Sequence, residues 1–269
     1  MKEELKKFLH SNTILFILYK TYTKLWSTCN GLKDLKYTYN YKYSKSLLNL
    51  TKIRNKYKGK RCFILGNGPS LNKTNLFLLK NEYTFGLNRI YLKFPDMGYK
   101  TNFHVSINDL VIDQCFDEYN QLSGIKKFYT ATKMNRLHSN RNTFFLKSIS
   151  PTFSEDITKG VWEGATVTYV AMQIAYYLGF KEVILVGVDH NFKTKGKPHS
   201  RVMQKGSDPN HFSPQYFKGM KWQLPDLKTS EIAYTLAKLH FQKSGRKIVD
   251  ATINGRLNIF DKVVYQDLF

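Results

Sequence analysis

Arg61-Cys62-Phe63-Ile64-Leu65-Gly66-Asn67-Gly68-Pro69-Ser70-Leu71 is the stretch that decides how this chain folds. Its first five residues are a short apolar run of buried-strand type, and the Gly/Asn/Pro/Ser cluster that ends it marks a turn. Two glycines let the backbone come close to a ligand, while Pro69 has no N–H to offer. The turn imitates two phosphate loops and matches neither. A P-loop needs Gly directly before its Lys-Ser/Thr pair, and here Asn72 precedes Lys73-Thr74; a dinucleotide fingerprint needs a third Gly where Leu71 sits. Two readings remain, a strand-to-helix turn that admits a nucleotide and a tight turn with no ligand.

Working outward, the apolar runs 83–87, 103–107, 183–186 and 247–249 end at Asn88, Asn108-Asp109, Gly187-Val188-Asp189 and Asp250. Each run stops on Asn or Asp, and in an open parallel sheet such side chains gather on the rim where ligands bind. Residues 166–178 place Val167, Val170, Ala171, Ile174, Ala175 and Leu178 at helical spacing, with Gly179 as a C-cap. Residues 230–243 repeat the design with Ile232, Ala233, Leu236, Ala237 and Phe241, followed by Gly245. Strands alternating with crossover helices predict an α/β, Rossmann-like, doubly wound and mainly parallel sheet.

The chain carries 42 Lys plus Arg against 20 Asp plus Glu in 269 residues, a net charge of +22. With 42% apolar residues and 15% aromatics it is not a disordered polycation. Residues 1–60 hold 14 Lys or Arg against Glu3, Glu4 and Asp34, a net of 14 − 3 = +11 and so half the excess. This divides the chain into a basic, aromatic-rich helical arm, 1–58, and a Rossmann-like nucleotide-binding transferase domain, 59–269. The arm reads as a solvated helical pair, as a device for anionic membranes through residues 1–55, or as a nucleic-acid contact; with no nucleic-acid motif in the chain, the expectation excludes nucleic acid as a partner. Three widely spaced cysteines, Cys29, Cys62 and Cys115, suggest neither disulfides nor zinc, and no apolar run is long enough to span a bilayer. The expected location is cytoplasmic, peripheral on the inner face of the cytoplasmic membrane.

Candidate site residues follow from the rim. Asn67, Gly68 and Ser70 are expected at the nucleotide phosphate, Asn88 and Asn108 at its base or sugar, and Asp189 at the ribose or the lid. Gly164-Ala165-Thr166 opens a helix and suits an anion, although Thr166 also reads as a plain N-cap. The polar segment 190–226 is long enough to be a lid, with His190 and Tyr216 as lid candidates. His211 is the candidate general base, because His takes a proton near neutral pH; an ordinary exposed loop His is the competing reading. No Asp-x-Asp occurs and the seven His are scattered, so no metal is expected and no cofactor is called for.

Gly66-Asn67-Gly68-Pro69-Ser70-Leu71, Trp162-Glu163-Gly164-Ala165-Thr166-Val167-Thr168 and Gly187-Val188-Asp189-His190-Asn191-Phe192 together resemble the bacterial 6-hydroxymethylpterin diphosphokinase-like family, a domain of unknown function, over about residues 60–260. More distantly, the chain is similar to the family 42 lipooligosaccharide sialyltransferases. These share the opening turn and a segment here represented by Leu178-Gly179-Phe180-Lys181-Glu182 leading to Gly187-Val188-Asp189. The sialyltransferase resemblance implies a nucleotide site using Asn67, Gly68, Asn88 and Asn108, no metal, a His base in the lid and CMP-sialic acid as donor. Two positions depart from it: the Tyr that helps hold the donor phosphate falls at Asn191, and Val167-Thr168 replaces a Ser-Gly pair. The expected function is a metal-independent glycosyltransferase, sialyltransferase-like, that modifies a cell-surface glycan acceptor such as a lipopolysaccharide or capsule precursor. A pyrophosphoryl transferase using ATP and Mg²⁺ is the alternative, and a non-catalytic, membrane-associated nucleotide-binding protein a second.

Overall fold

The computed structural model describes Tyr37 and residues 39–269. The remainder of the basic arm, and with it much of the surface expected to meet an anionic membrane, lies outside the described residues. The chain forms two compact units, Met1–Lys45 and Ser46–Phe269. Helix α1, Tyr41–Thr51, starts in the first unit, where the Asn40 side chain accepts from the N–H of Tyr43 at 3.1 Å as an N-cap.

The sequence places a boundary after residue 58; the second compact unit begins at Ser46. Leu50, Ile53 and Tyr57 follow one another at helical spacing among lysines, and all three are buried in the main core. Backbone N–H groups of Asn55, Tyr57 and Gly59 donate to the carbonyls of Tyr177, Leu178 and Gly179 at 2.9–3.2 Å, and the Tyr57 ring stacks on Phe180 with centroids 5.1 Å apart. Charge had concealed a structural strap: the lysines face water while the residues between them complete the core.

The body is built on strands β1 (Arg61–Leu65), β2 (Thr84–Leu87), β3 (Phe103–Ser106), β4 (Lys126–Thr130), β5 (Thr143–Leu146), β6 (Glu182–Val186), β9 (Lys247–Asp250) and β10 (Asp261–Lys262). Every pairing among them is parallel, in the order β10-β9-β6-β1-β2-β3-β4-β5. Both faces are covered, which is why the strands are continuous apolar runs. Cys62 and Ile64 join the cluster under helix α4 (Val167–Leu178), whereas Phe63, of opposite parity, stacks on Phe269. On that second face Tyr129 lies parallel to Tyr119 of α3 (Asp109–Gln121), with centroids 5.5 Å apart. A single helical turn, α2 (Phe94–Met97), precedes β3.

Helix α4 has its expected caps, Thr166 at the N-terminus and Gly179 at φ +92° at the C-terminus, but it is buried nearly all round rather than on one face. Its buried Gln173 is satisfied by accepting from the N–H of Ser154 and donating to the carbonyl of Trp162. Helix α5 runs Leu227–Lys243, three residues earlier than expected because the carboxylate of Asp226 caps it, and its buried face is Ser230, Ala233, Tyr234, Ala237 and Phe241. Ile232, expected in that face, is 53% exposed.

The segment 190–226 carries an antiparallel ribbon of β7 (Arg201–Met203) and β8 (Lys221–Gln223). It is pinned on two sides. The Gln114 side chain of α3 brackets Lys221 through both its backbone groups at 2.7 and 2.9 Å. On the other side the N–H of Phe212 donates to the Asn67 carbonyl and Asn72 Nδ2 donates to the Phe212 carbonyl, at 2.8 and 2.7 Å. No helix among the described residues is long and apolar enough to cross a membrane.

Candidate functional site

From β1 the chain winds outward through β2 to β5, then returns to place β6 on the other side of β1, so the strand order reverses between β1 and β6. At such a switch point the loops leave in opposite directions and open a crevice beyond the carboxyl ends of the strands. A cavity of about 500 Å³ lies there, roofed by parts of 190–226. Asn67, Gly68, Asn88, Asn108, Gly164, Ala165, Thr166, Asp189, His190 and His211 all border it; Ser70 and Tyr216 do not.

The glycine turn has a structural task of its own. A Cβ on Gly66 would overlap the Gly187 carbonyl, and one on Gly68 would overlap the Asp189 carboxylate. Backbone N–H groups of Gly66 and Gly68 donate to the carbonyls of Val186 and Gly187 at 2.8 and 2.9 Å. Asp189 then accepts from the N–H of Ser70 at 3.1 Å and from its hydroxyl at 2.6 Å. Ser70, expected at a phosphate, and Asp189, expected at a ribose or the lid, are bonded to each other. Asn67 Nδ2 donates to the Leu87 carbonyl at 3.1 Å and its Oδ1 is buried without a hydrogen-bond partner among the described residues.

Asn88 is held from behind. It sits at φ +45°, its carbonyl accepts from His104 Nε2 at 2.6 Å, and its Oδ1 accepts from Ser106 at 3.1 Å. Tyr129 supports His104 and Tyr119 supports Ser106, at 3.2 and 3.1 Å. With its oxygen taken, Asn88 offers the cavity its NH₂ group. Burial pushes the His104 pKa down to about 4, so the ring is neutral near pH 7. Asn108 behaves differently from expectation. Its Oδ1 caps α3 by accepting from Leu110 and Val111, and its Nδ2 donates to Gln223 Oε1 at 2.7 Å. Both ends are used, so it latches the ribbon rather than reading a base.

On the opposite wall Gly164 and Ala165 are both left-handed, at φ +54° and +57°, directly before the Thr166 cap. A side chain on Gly164 would collide with Ala233 and the Tyr169 ring, so glycine is required there. Thr166 Oγ1 accepts from the N–H of Thr168 at 3.3 Å and meets the Tyr234 hydroxyl at 3.2 Å. Consecutive left-handed residues at a helix start turn backbone N–H groups toward a common point, a geometry suited to anions. Glu163, immediately before, borders the cavity and accepts from Ser148. Burial raises its pKa; the Ser148 hydrogen bond opposes the rise and the charge of Asp109 adds to it.

The roof delivers His211. Its Nδ1 donates to Asp208 at 2.8 Å, with Asp208 itself buried, and its ring lies flat on Tyr216 at 4.1 Å with an interplanar angle of 3°. Phe217 meets the ring edge-on. Nε2 has no hydrogen-bond partner among the described residues and belongs to a side chain that borders the cavity. This is the geometry of a base whose tautomer and orientation are set from behind. Tyr216, expected as a lid contact, is fully buried; its hydroxyl accepts from the N–H of Arg89 at 3.1 Å, and burial drives its pKa up. His190 Nε2 donates to Glu231 at 2.9 Å and His199 Nε2 to Asp226 at 3.0 Å.

Asp208, Glu163 and His104 were not singled out by the sequence. The signal for Asp208 is its position three residues before His211; that for His104 is a polar residue in a strand otherwise read as apolar. Among the described residues that border the cavity none is Lys or Arg. Among the described residues no three His, Cys, Asp or Glu side chains converge to hold a metal ion. Asp189 accepts from Ser70 and Asp109 from Thr132.

A wholly parallel sheet with a roofed cavity at its switch point defines a Rossmann-like α/β protein. Residues 35–195, more than half of the chain, match the 6-hydroxymethylpterin diphosphokinase MptE-like family, and the chain belongs to that family. No curated protein matches it. Among solved structures the fold is similar to that of the MAf glycosyltransferase from Magnetospirillum magneticum AMB-1. The TM-score is 0.51 at 14% identity, over 86% of this chain and 39% of that one. The chain thus spans about two-fifths of that protein's length, and the likeness is one of fold.

Proposed function

We propose that this protein is a glycosyltransferase that moves a sugar from a nucleotide donor to a hydroxyl of a glycan acceptor without using a metal. The observation that carries the reading is the His211–Asp208 pair, held over the switch-point cavity with Nε2 unpartnered. In the reaction His211 Nε2 takes the acceptor O–H proton as the oxygen attacks the anomeric carbon, Asp208 stabilises the imidazolium that forms, and the nucleotide leaves with the electrons of the broken C–O bond. The N–H groups of Gly164 and Ala165 receive the leaving phosphate, that of Thr166 being held by the Glu163 carbonyl. Asn88 is placed to read the nucleoside through its NH₂ group.

A cavity bordered by no Lys or Arg suits a leaving group with a single phosphate better than a diphosphate, which makes CMP the nucleotide of choice and a sialic-acid-type sugar its natural companion. The acceptor is a cell-surface glycan precursor on an anionic membrane, reached through the basic arm. The family's diphosphokinase name favours a second reading, pyrophosphoryl transfer from ATP. That chemistry calls for Mg²⁺ between phosphates and carboxylates, and the carboxylates here are engaged.

Thermal melting with CMP, CDP, UDP, GDP and ATP, each with Mg²⁺ and with EDTA, separates the two. Stabilisation by CMP in EDTA supports the transferase. Stabilisation by ATP only with Mg²⁺ overturns it in favour of the diphosphokinase.

A further inference from the structure

When the bond between a sugar and its phosphate breaks, negative charge grows on the departing oxygen, and a water-poor site must supply a donor for it. None of the residues bordering this cavity is Lys or Arg. The three His side chains on its border are each tied to a carboxylate: His190 to Glu231, His199 to Asp226 and His211 to Asp208. At the anion-suited turn there remain the backbone N–H groups and the residue that opens it, Glu163.

Glu163 is placed by its surroundings. Its carbonyl accepts from the N–H of Thr166 at 3.0 Å, closing the turn on itself, and the left-handed Gly164 and Ala165 leave that backbone little freedom. Ser148 occupies Oε1; Oε2 has no hydrogen-bond partner among the described residues. The charged group acting on the carboxyl is Asp109, at the start of α3, which together with burial favours the protonated form. A phosphate arriving beside it adds negative charge and acts in the same direction.

We propose that Glu163 is the general acid of the transfer, giving the proton on Oε2 to the phosphate oxygen as that oxygen leaves the sugar. The proposal rests on the transferase reading above. The step balances. The anomeric C–O bond to phosphate breaks and its electron pair goes to the phosphate oxygen, which takes the Glu163 proton; the acceptor oxygen forms the new C–O bond and loses its proton to His211. One proton is taken up and one is given, and for the next cycle His211 releases its proton to solvent while Glu163 regains one from it.

The test is a pH–rate profile of CMP release from CMP-sialic acid by the full chain, for the unaltered protein and for Glu163→Gln and Glu163→Asp, with CMP affinity measured by calorimetry and folding by melting temperature. The unaltered protein should lose rate toward high pH on a basic limb, which reports Glu163 losing its proton. Glu163→Gln should bind CMP as tightly, turn over roughly a hundredfold or more slowly, and lack the basic limb. Glu163→Asp should regain part of the rate and the limb. A Glu163→Gln protein that keeps the basic limb, or whose rate falls only in step with CMP affinity, overturns the acid role. If the unaltered protein neither binds CMP nor releases it, the transferase reading itself falls and this proposal with it.

Discussion

Asp189, at the end of the loop from β6, grips both the backbone N–H and the hydroxyl of Ser70, at 3.1 and 2.6 Å. It thereby ties the two strands that flank the switch point. Removing the acceptor strands two buried donors, a loss of about 1–3 kcal/mol. Asp189→Asn and Gly68→Ala should both lower the melting temperature by several degrees, the second because its Cβ would meet that carboxylate. A surface change such as Lys195→Ala should leave it unaltered.

His211→Ala should lose transfer by roughly a hundredfold to ten-thousandfold while CMP binding persists, since the ring contributes a proton transfer rather than affinity. Asp208→Asn should retain the ring's place on Tyr216 yet weaken it as a base. The readout is kcat, which should fall while CMP affinity measured by calorimetry stays unchanged.

Asn88 is aimed by two buried relays, Tyr119 to Ser106 and Tyr129 to His104. Ser106→Ala frees the Asn88 carboxamide to turn. Donor KM should rise with little change in kcat, and Tyr119→Phe should give a smaller effect in the same direction. An equal fall in kcat for both would argue against a role in holding the donor.

His104 also predicts a stability profile. Its folded pKa lies near 4 against an ordinary value of 6.5, so the unfolded chain binds a proton that the folded one refuses. Stability is fully present above pH 6.5 and is lost as pH falls from there toward 4, by roughly 3 kcal/mol in all. Denaturant titrations across that range should show the slope in the unaltered protein and a shallower one in His104→Gln.

The basic arm makes a separable prediction. A chain lacking residues 1–45 should bind anionic vesicles less tightly while keeping the melting temperature of the body. A chain lacking 1–55 also loses Leu50 and Ile53 from the core and should be strongly destabilised. Equal vesicle binding by the shorter deletion and the full chain would leave the arm without a membrane role.

The sheet was legible because its evidence is local: apolar runs stopped by Asn or Asp, and helices closed by glycine, need no knowledge of partners. The rim side chains were legible as a group, but what each one touches depends on residues far along the chain. Asn108 is a helix cap and ribbon latch because Gln223 lies opposite, and Ser70 is occupied because Asp189 is. The strap 46–58 was read as charge because Lys52, Arg54, Lys56 and Lys58 stand among the three apolar residues, Leu50, Ile53 and Tyr57, that anchor it. Glu163 was in view within its motif, but its burial, which pushes the carboxyl's pKa up, is a property of the fold and not of the motif.

The family match ends at residue 195, ahead of Asp208 and His211. The glycine turn and the roof that carries His211 are therefore encoded in successive stretches of chain, joined in space where Phe212 meets Asn67, where Tyr216 meets Arg89 and where the ribbon meets α3. Such an arrangement is modular: residues 196–226 could be exchanged as a unit with only these contacts to rebuild, so two chains that share the glycine turn need not share the groups that hang over it.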